Sequence, residues 1–341
     1  MSLIGLDLGT SRCKGALYSE DGRELAFASR EGLRTTGPAG RSELDAREVV
    51  AMVNSIVEEL SAIEPPSAIA ASTFGGAACL LDEQGAPLTP LISTTDPRAE
   101  ALIERWQQEL GPGRLRELTG LHPHCSYALG KWAWRREMLP EAVRATRYVA
   151  TSAELVLAGL GASPACDLAT ASTTMALDAT SGAWSEELLQ LAKLPPEWLP
   201  PLVESGALVG QTPTGCLLVA VRHDQQVCAL GAGVSGEGQA ALSLGTVECA
   251  TAVFEQSSAL AGFALAKYPL LFHAWDRLRA VLGYHYCGSD LWAWAEHCLR
   301  LDALEEAMPL ACKRALELPE SALALPQDRK STRLNSSHRI R

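Results

Sequence analysis

No two cysteines stand at C-x-x-C spacing, although ten are scattered from Cys13 to Cys312, and nothing basic and apolar at the start of the chain reads as a secretion leader. Cysteines placed in this way are expected to be free thiols in a reducing compartment, so the expected location is the cytoplasm. Apolar runs long enough to span a bilayer are missing, which argues against a membrane protein. So are the motifs G-x-S-x-G, H-E-x-x-H and G-x-x-x-x-G-K-[ST], which lowers the readings of a serine hydrolase, a zinc protease and a P-loop enzyme. Basic side chains are in short supply: 29 Lys and Arg against 40 Asp and Glu leave a formal charge of −11. That balance disfavours an extended surface for nucleic acid or anionic lipid, and small molecules are the expected partners.

What is present is apolar material in quantity. With 341 residues, 47% of them hydrophobic, the chain can bury a large core and is expected to form two domains. Residues 3–8 and 15–18 read as short strands, and Asp21-Gly22 turns the chain into a third around 24–29. From Asp45, the spacing of Val49, Val50, Val53, Ile56, Val57 and Leu60 is helical until Pro65-Pro66. AIAAST (68–73) reads as a strand and Gly75-Gly76 as a bend. Asp96-Pro97 is expected to open a helix running through Trp106, and KWAWRREM (131–138) to form another that Pro140 ends. RYVATSAELVLAGL reads as strand then helix, and 167–200 as a helix, a loop and a second short helix. The alternation of the two periods predicts an α/β fold.

Glycine, proline and polar residues cluster at 210–215, which places the expected boundary between a domain over 1–210 and another over 211–329. The stretch around FALAKYPLLFHAWDRLRAVLGYHYCGSDLWAWAEHCL suggests one strand or coil with amphipathic helices. The last twelve residues, KSTRLNSSHRIR (330–341), hold five basic side chains and no period. They read as a non-native tail, with part of the second domain expected to be missing before it.

Two segments echo one another. LDLGTSRCKGALY (6–18) and LSLGTVECATAVF (242–254) each place an apolar strand before Gly-Thr and a second apolar run after it, which suggests duplicated folds facing a common cleft. The chemistry such a turn serves is phosphate binding. Gly9 and Gly245 let the backbone approach an oxyanion, Thr10 and Thr246 can donate hydroxyls, and Lys14 can neutralise charge. Asp7 would repel a phosphate, yet it can hold Mg²⁺ directly or through water; Ser243 stands at that place in the second copy.

With these motifs goes a set whose order along the chain resembles the FGGY carbohydrate kinases of the actin-like ATPase superfamily. IGLDLGTSRCKGAL is similar to the first phosphate motif, TPLISTTDPR to the sugar-side segment ending in D-x-R, DLATASTTMALD and AWSEELL to the middle signature, RHDQQVCALGAGV to the catalytic segment and LSLGT to the second phosphate motif. The resemblance implies two actin-like (ribonuclease H-like) α/β domains flanking a cleft, the second incomplete here. It implies ATP with Mg²⁺ and transfer of the γ-phosphoryl group to a hydroxyl of a sugar, sugar acid or polyol. Asp224 would be the general base, kept ionised by a helix N-terminus, and Asp96, Arg98 and Gln225 would contact the acceptor. His223 reads as polar lining. A homodimer is compatible with this reading.

The sequence also departs from the family pattern. Thr94 stands where a Trp is common, Val221-Arg222 replaces a glycine pair, a histidine often found near Gly76 is absent, and 255–329 shows no clear glycine-rich adenosine motif. Two alternatives therefore stand beside the kinase: a degenerate sugar- or nucleotide-binding protein, and an actin-like ATPase with no carbohydrate acceptor. His122, His124 and Cys125 in LHPHC are metal-like in composition and lack an identifiable further ligand. Trp132, Trp134, Trp184, Trp292 and Trp294 are expected to be core or domain-contact anchors.

Overall fold

The structure is a computed structural model that describes residues 1–10, 12–31, 37, 40–111, 113–244, 248–255, 268–274 and 278–285. Contacts divide the chain into two units: Met1–Ala241 with Thr251–Leu282, and Leu242–Ala250 with Gly283–Arg341. In the second unit only the strand residues 242–244, 248–250 and 283–285 are described. The echo motif at Gly245-Thr246, the segment 286–329 and the tail 330–341 lie outside the described residues.

Seven strands of the first unit form one sheet: β1 (Ser2–Leu8), β2 (Arg12–Ser19), β3 (Glu24–Glu31), β4 (Ala68–Thr73), β5 (Leu208–Gln211), β6 (Leu217–Val219) and β7 (Arg222–His223). Their order is β5-β6-β4-β1-β2-β3, with β7 pairing β4 beyond β6. The opening meander β1-β2-β3 is antiparallel. Strands β1, β6 and β7 all run parallel to β4. Parallel pairing requires crossovers, and the helices between these strands supply them.

Alternation along β1 shows why the meander folds. Ile4, Leu6 and Leu8 are buried on one face, while Leu3, Gly5 and Asp7 point to the other. The helix Ala46–Ser61 covers the apolar face through Val49, Val53, Ile56 and Leu60. Burying each of these side chains stabilises the fold by about 1.5–3 kcal/mol. Asp45 caps that helix by accepting from the Arg47 and Glu48 amides at 2.8 and 3.3 Å. Gly15 is where the packing is closest, since a Cβ there would lie 2.5 Å from Ile56 Cγ2.

Most expected elements form, with three differences. The helix expected from Asp96-Pro97 begins at Glu100, because Asp96 is engaged elsewhere, as described below. The cluster at 210–215 forms the turn of the β5–β6 hairpin, closed by Thr212 N to Cys216 O and Gly215 N to Thr212 O at 2.8 and 2.9 Å. The segment beyond residue 262, read as one strand or coil with helices, contains two paired strands, Leu270–Phe272 and Arg279–His285, in the register Leu271 with Ala280.

Candidate active site

The register of the three parallel strands gathers the site. Asp7 on β1 is aligned with Ser72 on β4, and Ser72 with Arg222 on β7; one residue on, Leu8, Thr73 and His223 are aligned. The carboxyl ends of all three strands therefore share one edge, where ligands bind open α/β sheets. The chain leaves β1 through a tight turn in which the Gly9 amide donates to Arg12 O at 3.0 Å. A Cβ on Gly9 would come within 3.1 Å of that same oxygen. Thr10 at the tip is exposed, and Lys14, the cross-strand partner of Asp7, is exposed too.

Asp7 is half-buried and accepts from Ser72 Oγ at 3.0 Å on Oδ1. Among the described residues its Oδ2 accepts no hydrogen bond. Groups of three metal-ligating side chains are absent among the described residues, so a cation held by Asp7 would depend on ligand oxygens from a substrate. Mg²⁺, which is bound by one or two carboxylates plus phosphates, fits such a donor set.

Beyond β7 the chain turns directly into the helix Asp224–Gly231, with His223 as its N-cap residue and Asp224 in its first turn. Asp224 Oδ1 accepts from the Gln225 amide at 2.7 Å and lies 3.6 Å from His223 Nε2, and its side chain stays 27% exposed. Burial raises the Asp224 carboxyl above its ordinary value, and the charge of Asp7 adds to the rise; His223 and the Gln225 amide act in the opposite direction and lose. The shift is upward although Asp224 stands in the first turn of a helix. Among the described residues, His223 Nδ1, Gln225 Oε1 and both amide atoms of the fully buried Gln226 have no hydrogen-bond partner. Such a concentration of unsatisfied polar atoms marks a place for water or a polar ligand.

Asp96 and Arg98 are brought together, but inward. Asp96 is 0% exposed; it accepts from Arg98 Nε (2.8 Å) and Arg98 Nη2 (2.7 Å), and from the amides of Ser42 (2.7 Å) and Arg98 (3.0 Å). Arg98 also donates to Glu43 Oε1 at 2.6 Å and stands 4.7 Å from the centre of the Trp134 ring. A sugar hydroxyl could reach this carboxylate only by displacing one of these donors. Burial pushes Asp96 up, and the hydrogen bonds from Arg98 and Ser42 more than offset it, holding the carboxyl below its ordinary value. His124 Nδ1 is engaged with Ser126 Oγ at 2.9 Å.

Sequence reasoning named Asp7 and Asp224 and missed Ser72, which orients Asp7, and Lys131, which is fully buried. The alignment of β1 with β4 is the only signal that finds Ser72.

The N-terminal-domain profile of the FGGY family of carbohydrate kinases matches residues 2–231. A xylulose kinase of Streptomyces rubiginosus is 32% identical over 308 residues, covering 82% of this chain and 63% of that protein. A glycerol kinase of Methylibium petroleiphilum is 31% identical over 259 residues, covering 70% of this chain and 49% of that protein. The chain thus spans less than two thirds of the length of either relative. The xylulose kinase structure from Rhodospirillum rubrum superposes with a TM-score of 0.82 over 94% of this chain and 68% of that one, at 23% identity, and shares the fold.

Proposed function

The chain belongs to the FGGY family of carbohydrate kinases, and from that premise we propose that it provides the acceptor side and the phosphate-binding turns of an ATP-dependent phosphotransferase acting on a sugar, sugar acid or polyol. One observation carries the reading: a partly exposed carboxylate with a raised pKa, Asp224, stands at the strand edge that also bears Asp7, close enough for the two charges to interact. A general base is most effective when its pKa is moved toward the working pH, and both burial and Asp7 move Asp224 in that direction.

In this mechanism the turn at Gly9 and Thr10 donates backbone and hydroxyl hydrogens to phosphate oxygens, and Lys14 offsets their charge. Gly245 and Thr246 are assigned the same role in the echo motif. Asp7, oriented by Ser72, would hold Mg²⁺, which neutralises charge on the phosphoryl group in flight. Asp224 accepts the proton of the attacking hydroxyl as that oxygen bonds to the γ-phosphorus and the bond to the departing ADP breaks. Gln225 turns its unsatisfied amide oxygen toward acceptor hydroxyls. Asp96 and Arg98, which occupy one another, enter as the ion pair that shapes the acceptor side. Alignment and charge neutralisation supply most of the rate, as is general for phosphoryl transfer.

The test is ADP release across a panel of pentuloses, hexoses, sugar acids and glycerol. Acceptor-dependent release that Asp224→Ala abolishes, with ATP binding intact, is the expected result. Release that is independent of any acceptor, or unaffected by the substitution, would overturn the reading.

A further inference from the structure

The bend that follows β4 is held by two side chains the proposed mechanism does not use. Thr94 Oγ1 donates to the Gly75 carbonyl at 2.6 Å. Lys131 Nζ donates to the next carbonyl, that of Gly76, at 2.6 Å, and to Ser126 O at 2.8 Å. Two consecutive carbonyls are thus tied from two different segments, the loop before Asp96 and the helix Ala128–Met138. Lys131 is 0% exposed, and its ammonium meets carbonyls rather than a carboxylate. Burying a charge in this way is costly unless its hydrogen bonds are made, so the two carbonyls hold the lysine as firmly as it holds them.

What the bend supports gives this arrangement its use. A Cβ on Gly75 would lie 2.6 Å from His223 Cδ2 and 2.7 Å from His223 Nε2, so the bare Cα of Gly75 is the wall against which the imidazole rests. Gly76 has φ +73 and its missing Cβ would lie 2.5 Å from Ser126 O, which leaves no other residue type for the position. That same edge of the ring reaches Asp224, with Nε2 3.6 Å from Asp224 Oδ1.

We propose that Thr94 and Lys131 are positioning residues for phosphoryl transfer: by tying the carbonyls of Gly75 and Gly76 they press the Gly75 Cα against His223 and so fix His223 beside Asp224. This rests on the kinase reading above. The effect runs through the bend, and neither side chain need touch the acceptor.

Thr94→Val removes the hydroxyl and keeps the shape, while Lys131→Met removes the ammonium and keeps the stem. Two readouts are taken on the full chain: the His223 ring resonances in histidine-labelled protein, assigned by their loss in His223→Asn, and kcat and KM for the acceptor. Both variants are expected to move the His223 Cδ2–H resonance and to lower kcat by up to roughly 10²-fold, with acceptor KM changing by less than about threefold. A fold merely weakened would lose active protein without moving that resonance in the folded fraction. An unmoved resonance in Thr94→Val, the variant least disturbing to folding, overturns the clamp. A moved resonance with wild-type kcat overturns its link to catalysis. Should the unaltered chain turn over no acceptor, the kinase reading falls, and the clamp stands or falls on the resonance.

Discussion

Ser72 donates its hydroxyl to Asp7 Oδ1 at 3.0 Å from the neighbouring parallel strand, and among the described residues the other carboxylate oxygen accepts no hydrogen bond. On the kinase reading, that second oxygen serves Mg²⁺. Ser72→Ala is therefore expected to weaken the apparent Mg²⁺ affinity by roughly 10–100-fold, the usual effect of losing a partner that orients a metal ligand. Asp7→Asn should weaken it further. Titrating turnover against Mg²⁺ at saturating ATP checks both, and an unchanged Mg²⁺ requirement in Asp7→Asn would remove the metal from this carboxylate.

Asp224 should show a conflict between stability and activity. Its folded-state carboxyl is raised, so its contribution to stability is present below the ordinary carboxyl pKa and is lost as pH rises through the raised value. Asp224→Asn is expected to melt no lower than the unaltered protein at neutral pH, and to lose roughly 10²–10⁴-fold in turnover. In the unaltered protein, kcat/KM for the acceptor should fall as pH drops through the raised pKa, above the range of an ordinary aspartate. Thermal melts and a pH–rate profile test the two halves separately.

The Asp96–Arg98 pair is a matter of folding first. Arg98→Ala strips the donors from a carboxylate that is 0% exposed, and loss of one partner of a buried pair costs roughly 3–5 kcal/mol. Because the Asp96 carboxyl is held low, its stabilisation is present above the ordinary carboxyl pKa and is lost as pH falls through the lowered value. Urea denaturation of Arg98→Ala, and of the unaltered protein at acid pH, should show both losses.

Burial pushes the Lys131 ammonium down to about 7. The folded state therefore binds fewer protons than the unfolded state between that value and the ordinary 10.5 of lysine. Stability contributed by this group rises with pH across that window and is lost as pH falls through the folded value. Lys131→Met should flatten this part of the stability profile, as measured by urea midpoints at pH steps from 6 to about 10; an unchanged slope would contradict the assignment.

Local pattern was enough to read the meander and the Ala46–Ser61 helix, because alternation in β1 and the spacing of Val49, Val53, Ile56 and Leu60 each report the face that packs. The start of a helix at Asp224 came instead from the resemblance of RHDQ to the family's catalytic segment. Asp96 and Arg98 were legible as a pair but not in orientation: D-P-R reads as a helix start, and only the arrival of the Ser42 amide and Glu43 turns the carboxylate inward. Lys131 was hidden for a related reason. In KWAWRREM a lysine looks solvated, and the two carbonyls that receive it come from the Gly76 bend and from Ser126, which no spacing within the helix reveals. The cluster at 210–215 carries the composition of a linker and the hydrogen bonds of a hairpin turn, and only pairing distinguishes the two.

The pairing of β6 and β7 along one side of β4 also sets an order of events during synthesis. A nascent chain that has emerged through residue 200 holds the meander and β4, yet the outer side of β4 still waits for residues 217–223. Until they emerge, that side offers unpaired amides and carbonyls to any passing strand. The base of the proposed reaction is thus put in place by the same late docking that closes the exposed edge, so a chain unable to complete the sheet also leaves its chemistry unassembled.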